Sequence, residues 1–352
     1  VDNLELDEPK ANEVLVRMHA SGVCHSDLSV VNGAIHYNPP VALGHEGAGV
    51  IEQIGEDVNY VQVGDHILLS FVTYCNQCRM CTMTKVSLCE GFSARVGYLL
   101  DDTCRLHTSL KQPVPQMARI GTMSEYTVVP EQSLIKIDTA YSLEKAVLVG
   151  CGVTTGIGAV LNTAKVKPGS SVAIVGSGGV GLNVIQGAVL ASAERIIAVD
   201  LVQQKLDLAK DFGATDLINA SKANPVDQIQ DLTDGKGVDY AFEVVGNPKT
   251  IEQAYEMIRP AGTVVVVGVS HHEAKINIPA QQLVRQEKRI IGSFYGSSIP
   301  RIDMPKILEL YNQGKIRLDE LITKNYRLDQ INQAFEDMEA GKNARGVILF
   351  GE

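Results

Sequence analysis

The stretch CNQCRMCTMTKVSLC places four thiols at Cys75, Cys78, Cys81 and Cys89. Their spacing, C-x2-C-x2-C-x7-C, lets a single loop wrap one metal ion. Four thiolates around zinc complete a tetrahedron and leave no position for a substrate, so a site of this kind holds a lobe together. Cysteines alone would also suit an iron–sulfur cluster, but nothing else in the chain points to electron transfer. Cys104 fits none of this spacing and reads as a bystander. A disulfide framework is a poor reading, because it belongs to much shorter secreted chains and the seven cysteines here are an odd number in 352 residues.

A second set is scattered. Cys24 lies in GVCHSD, His45 and Glu46 in ALGHEGAG, and Cys151 in VGCGVTT. Two thiolates and one imidazole, with water in the fourth position, make an open zinc site able to do catalysis. Sequence distance does not bring the three together. Each cysteine taken singly reads equally well as a small buried residue.

The third constellation is GSGGVG, with Gly176, Gly178 and Gly181 in the G-x-G-x-x-G pattern and Gly179 and Val180 inside it. It follows the apolar run SVAIV and opens a small-residue helix, the context a dinucleotide fingerprint requires. Glycines there allow a tight turn and close approach of a pyrophosphate, which the helix N-terminus attracts. Asp200 ends the next strand, 19 residues after Gly181. A carboxylate at that point accepts hydrogen bonds from both hydroxyls of an adenosine ribose and repels a 2'-phosphate, so NAD is expected over NADP. Lys205, five residues on, is counted with the cofactor-binding residues.

Elements must position these groups. Up to about residue 150 the chain reads as short strands and turns, EVLVRMHAS, GVIEQIG, VGDHILLS and GTMSEYTVV, which predict a β-barrel or sandwich with long loops. From SSVAIVG onward buried strands alternate with helices: RIIAVDL, QQKLDLAKDFGA, DLINA, PVDQIQDLT, VDYAFEVVG, TIEQAYEMIRPAG, TVVVVGV and RIIGSF. That rhythm predicts a parallel sheet covered on both faces. The tail returns to helices in RIDMPKILELYNQGKI and LDQINQAFEDMEAGKN and to a strand in RGVILFG. The expected domains are 1–151 with 296–352, and 152–295.

Composition narrows the function. A net charge of −10 with 20% charged residues argues against nucleic acid or an anionic membrane as partner. No run of 18 apolar residues and no signal-like start is visible. The cysteine usage makes a cytoplasmic metalloprotein the expectation.

Together, CHSD, GHEGAG, the four-cysteine lobe, GCGVTTG, GSGGVG and Asp200 resemble the zinc-containing medium-chain alcohol dehydrogenases, in the family's order and over essentially all 352 residues. The resemblance implies a chaperonin-10-like (GroES-like) β-rich catalytic domain around a Rossmann doubly wound parallel sheet. It implies NAD and two zinc ions per subunit, one catalytic on Cys24, His45 and Cys151, one structural on the four-cysteine lobe. It further implies Glu46 behind the catalytic metal, Asp27 supporting the zinc-binding histidine, and Ser26 as the hydroxyl beside the substrate oxygen. Thr155 and Val269 would flank the nicotinamide together with Val180, Arg345 would contact cofactor phosphate and Glu46, and Phe71 would wall the substrate pocket.

Departures refine that picture. His25 stands where the much-studied liver enzymes carry arginine, as a weaker phosphate contact, and Ser29 stands where they carry a relay histidine. Ile35 and Tyr37 replace the acidic pair of the glutathione-dependent branch, and Ser93, near Arg95, replaces its carboxylate-binding arginine. The expectation is an oxidoreductase for uncharged primary alcohols and their aldehydes, working as a homodimer or homotetramer. The alternatives are a thiol-adduct or formaldehyde dehydrogenase and, outside enzymes, a catalytically silent dinucleotide-binding protein.

Overall fold

A computed structural model describes residues 3–91 and 95–351. Ser93 lies outside the described residues. The chain forms two compact units, Val1–Cys151 with Ile299–Glu352, and Gly152–Ser298.

The first unit is built on a seven-stranded sheet. Its order runs Ile322–Tyr326, Arg345–Leu349, Glu13–Val23, Gly47–Ile54, His66–Leu69 and Leu134–Ile137, and Tyr126–Pro130 also pairs with the long strand Glu13–Val23. Alternating apolar residues make the strands work: Val14, Val16 and Met18 turn into one core with Ile51, Ile67, Leu69, Val129 and Leu134. That core fixes the ends of three strands, where the chemistry-bearing residues sit. Cys24 follows Glu13–Val23 and caps the helix His25–Val31, His45 and Glu46 precede Gly47–Ile54, and Arg345 opens Arg345–Leu349.

The second unit carries a six-stranded sheet whose neighbouring strands are all parallel. Its order is Asp216–Asn219, Arg195–Asp200, Ser171–Val175, Val238–Glu243, Ile258–Val266 and Arg289–Gly292. In chain order this is the 3-2-1-4-5-6 arrangement of a dinucleotide-binding sheet, with the switch point between the central strands. Val175, Val199, Ile218, Ala241 and Val264 close its core.

The structure amends two local readings. TIEQAYEMIRPAG does not stay helical to its end: the helix is Pro248–Met257, and the chain is extended from Ile258. Pro260 has no N–H to continue a helical ladder, which explains the stop. The strand Ile322–Tyr326, unread in the sequence, has polar residues at its centre and lies at the sheet's edge, so it shows no apolar alternation. Among the described residues no single helix is long and apolar enough to cross a membrane.

Candidate metal centres and dinucleotide cradle

The four thiols of the lobe converge. The ligand atoms of Cys75, Cys78, Cys81 and Cys89 all lie within 4.8 Å of one another. Backbone amides point at the sulfurs: Cys75 N and Gly91 N lie 3.3 Å from Cys89 Sγ, and Cys78 N lies 3.3 Å from Cys75 Sγ. Such donors favour thiolates, and hydrogen bonds from the backbone at Cys81 and Glu90 lower Cys78 to about 6. Burial pushes Cys81 the other way, up to about 12. A tetrathiolate cage with amide donors fits a closed zinc site, and Tyr74 and Val86 pack beneath it.

The scattered set converges as well. Cys24, His45, Glu46 and Cys151 bring one ligand atom each to within 4.8 Å of the others. Asp27, in the first turn of His25–Val31, holds the set from behind. Its Oδ1 lies 2.8 Å from His45 Nδ1 and its Oδ2 accepts from Cys24 N at 3.0 Å. With Nδ1 committed to Asp27, His45 presents Nε2 to the cluster. His45 Nε2 and Glu46 Oε1 are 4.0 Å apart, both buried and both without a hydrogen-bond partner among the described residues. Buried polar atoms are rarely left so. Two thiols, an orphaned imidazole nitrogen and a nearby carboxylate suit zinc, with three ligands and room for exchange.

Charges around this set are interlocked. Cys24 is held well below its ordinary value by the hydrogen bond with Cys151, and further by His45 and Arg345, against the cost of burial. The same bond, with burial, drives Cys151 well up. Burial opposes a charged His45, yet the charge and hydrogen bond of Asp27 carry it well above its ordinary value. Burial pushes Glu46 up to about 7 against the pull of Arg345, whose guanidinium is ion-paired to its Oε2. A metal entering here displaces protons shared among these groups.

In the other unit the glycine turn is tight at Gly176 and Gly181 and open at Gly178. A Cβ on Gly181 would stand 1.9 Å from Gly176 O. The helix Gly179–Leu190 begins just beyond, with Gly178 as its cap. Asp200 Oδ2 accepts from Ser177 N at 2.8 Å and Oδ1 from Val202 N at 2.9 Å, so the carboxylate both orients the turn and stands at its edge. A bare turn, a helix N-terminus and a carboxylate at the neighbouring strand end fit the pyrophosphate and ribose of NAD.

The zinc-binding dehydrogenase family matches residues 179–313, and the alcohol dehydrogenase GroES-like domain matches residues 10–139. A Mycobacterium tuberculosis protein provisionally named alcohol dehydrogenase D is 39% identical over 350 residues, which is 98% of this chain and 95% of that protein. The chain belongs to the zinc-binding alcohol dehydrogenase family. An NDMA-dependent alcohol dehydrogenase of Amycolatopsis methanolica is 37% identical over 99% of this chain and 95% of its own. The crystal structure of benzyl alcohol dehydrogenase from Acinetobacter calcoaceticus superposes with a TM-score of 0.93 at 34% identity, over 99% of this chain and 94% of that one. As a zinc-binding alcohol dehydrogenase, the protein is an oxidoreductase that takes NAD and two zinc ions per subunit.

The remaining expected site residues of this alcohol dehydrogenase fall as follows. Ser26 is half-buried beside Cys24 on the helix His25–Val31, and His25 on the same turn is exposed. Phe71 stacks edge-on against His45, with ring centroids 5.6 Å apart at 79°. Arg345 is buried against Glu46. Thr155 is half-buried on the helix Gly152–Gly158, Val180 and Lys205 are half-buried, and Val269 is 76% exposed. Ile35 and Tyr37 are half-buried, and the Tyr37 hydroxyl accepts from Ala118 N at 3.0 Å. Glu243, a fully buried carboxylate, goes unread in the sequence. Glu243 ends its strand in FEVVG much as Asp200 ends its own in AVDL, and that parallel was the available signal.

Proposed function

We propose that this enzyme reversibly oxidises uncharged primary alcohols, aromatic, allylic or medium-chain, to aldehydes with NAD. The observation that carries the reading is the open donor set, in which His45 Nε2 is orphaned among two thiols while Asp27 fixes the ring. Cys24 Sγ, His45 Nε2 and Cys151 Sγ are the proposed ligands of the catalytic zinc, and the lobe thiols hold the structural one. When bound, zinc would supply a Lewis acid for an alcohol or carbonyl oxygen, and NAD would supply the acceptor for a hydride from the carbinol carbon. Ser26 Oγ takes the alcohol proton and releases its own toward solvent. Asp27 keeps the proton on His45 Nδ1, so that the ring stays oriented. Glu46, held by Arg345, lies behind the ligands. Asp200 recognises the adenosine ribose, with Lys205 and Arg345 contributing to cofactor binding and Thr155, Val180 and Val269 to the nicotinamide side.

The substrate class is supported by three features. Phe71 sets an apolar ring against His45. Ile35 and Tyr37 bring no acid, and Tyr37 has its hydroxyl occupied by Ala118 N. A structural relative bears the name benzyl alcohol dehydrogenase. Six of the seven cysteines are proposed metal ligands, a usage that supports a reducing, cytoplasmic setting. The proposed assembly is a homodimer or homotetramer.

The deciding experiment compares kcat/KM with NAD for benzyl alcohol, hexanol, ethanol and S-hydroxymethylglutathione. Benzyl alcohol or hexanol should exceed ethanol, by about 10–200-fold per well-used methylene at the upper limit. A glutathione adduct preferred by orders of magnitude would replace this reading with a thiol-adduct dehydrogenase.

A further inference from the structure

Glu243 is a fully buried carboxylate that none of the chemistry above uses. It closes the strand Val238–Glu243. Its Oε1 accepts from Val245 N at 3.0 Å, Gly246 N at 2.8 Å and the Thr250 hydroxyl at 2.7 Å. Its backbone carbonyl accepts from Val267 N at 2.8 Å and Gly268 N at 3.0 Å. Oε2 has no hydrogen-bond partner among the described residues. One residue thus fastens two loops, the one after its own strand and the one after the neighbouring strand Ile258–Val266.

The two loops meet backbone to backbone. A Cβ on Gly268 would stand 2.1 Å from Gly246 N, and one on Gly246 would stand 2.6 Å from Val269 O. The two loops are therefore closely packed at this point. The assembly also reaches the glycine turn, because a Cβ on Gly176 would stand 3.0 Å from Val244 Cγ2.

Position in the sheet says which part of the cofactor this serves. Ligands of such sheets lie beyond the carboxyl ends of the strands, one nucleotide on each side of the switch point. Asp200, on the strand Arg195–Asp200, takes the adenosine side. Val238–Glu243 and Ile258–Val266 lie across Ser171–Val175 from it. We propose that Glu243 is a positioning residue for the nicotinamide half of NAD, acting through the loops that its carboxylate and carbonyl tie together.

The proposal rests on the reading of NAD as cofactor, and the test separates the two. Equilibrium binding of NAD and of AMP is measured on zinc-loaded protein, for wild type, Glu243→Gln and Thr250→Val. The amide keeps the volume of Glu243 but gives three donors a weaker acceptor and buries an unpaired N–H. Glu243→Gln is expected to raise the Kd for NAD about 10-fold, which corresponds to about 1.4 kcal/mol. The Kd for AMP should stay within about twofold, since AMP offers its ribose to Asp200 and its phosphate to the glycine turn and lacks the nicotinamide half. Thr250→Val, which removes one of the three bonds, should shift NAD in the same direction by less, and it decides the question if the glutamine variant does not fold. Unchanged NAD binding in both variants overturns the proposal, as does equal weakening of NAD and AMP. Wild type that binds AMP but not NAD would instead overturn the cofactor reading.

Discussion

Asp27 lies with one oxygen 2.8 Å from His45 Nδ1 and the other 3.0 Å from Cys24 N. A single carboxylate therefore orients two members of the open donor set at once. Asp27→Asn should weaken metal retention at this set by about 10–100-fold, the scale seen when a histidine ligand loses its supporting carboxylate. Zinc counted by native mass spectrometry along a chelator titration should then fall from two to one in a separate step. Loss of both ions together would show that Asp27 does not act on one centre.

The two centres should fail differently. Cys78→Ala opens the closed cage, so the melting temperature should drop, because a structural ion contributes folding free energy. Cys24→Ala should leave most of the thermal stability and cut turnover by more than about a hundredfold, beyond the cost of a supporting residue. Thermal melts and initial rates on the same preparations check both. A Cys24→Ala variant that keeps turnover removes that cysteine from the catalytic set.

Cofactor choice follows from Asp200. The wild type should use NAD far more efficiently than NADP, and Asp200→Ser should narrow the ratio by about ten- to a hundredfold, the range for losing hydrogen bonds to a charged group. Part of the loss will fall on NAD itself, since the carboxylate also holds Ser177 N. Equal kcat/KM for the two cofactors in the unaltered enzyme would refute the argument.

Acid sensitivity has a local source in Asp337. Lys324 at 2.7 Å leads in holding its carboxyl well below the usual range, with the Tyr326 hydroxyl at 2.9 Å and Lys342 at 3.2 Å adding to it. A depressed folded-state value stabilises above the unfolded one, near pH 3.9, and that stability fades as pH falls through the folded value. Asp337→Asn should therefore lower the melting temperature at pH 7 by a nearly constant amount down to about pH 5, with the gap closing in stronger acid. A gap that widens on acidification would contradict the assigned sign.

Legibility in the sequence tracked how local each feature is. The four-cysteine lobe spans fifteen residues, so spacing alone exposed it, and the glycine turn announced itself between an apolar strand and a small-residue helix. Cys24, His45 and Cys151 stayed three unrelated residues until family resemblance joined them. What gathers them is the pairing of Glu13–Val23 with Gly47–Ile54, which carries Cys24 and His45 to the same end of the sheet. Glu243 is hard to read for another reason: its partners are mostly backbone amides, which every residue offers, so only its place at a strand end, like that of Asp200, hints at it. The edge strand Ile322–Tyr326 escaped because its centre is polar and solvent-facing.

The strand Arg345–Leu349 lies between Ile322–Tyr326 and Glu13–Val23, and its first residue neutralises Glu46. Synthesis therefore imposes an order of assembly. All contacts internal to Gly152–Ser298 exist once Ser298 has emerged, and domains fold as units while the chain is made. The catalytic unit must wait across that interval for a strand that is made only after the whole of Gly152–Ser298. Until then Glu46 lacks its cation, and burying it alone is costly. A nascent chain can thus carry a finished nucleotide unit while the carboxylate of its metal centre still lacks a counter-charge.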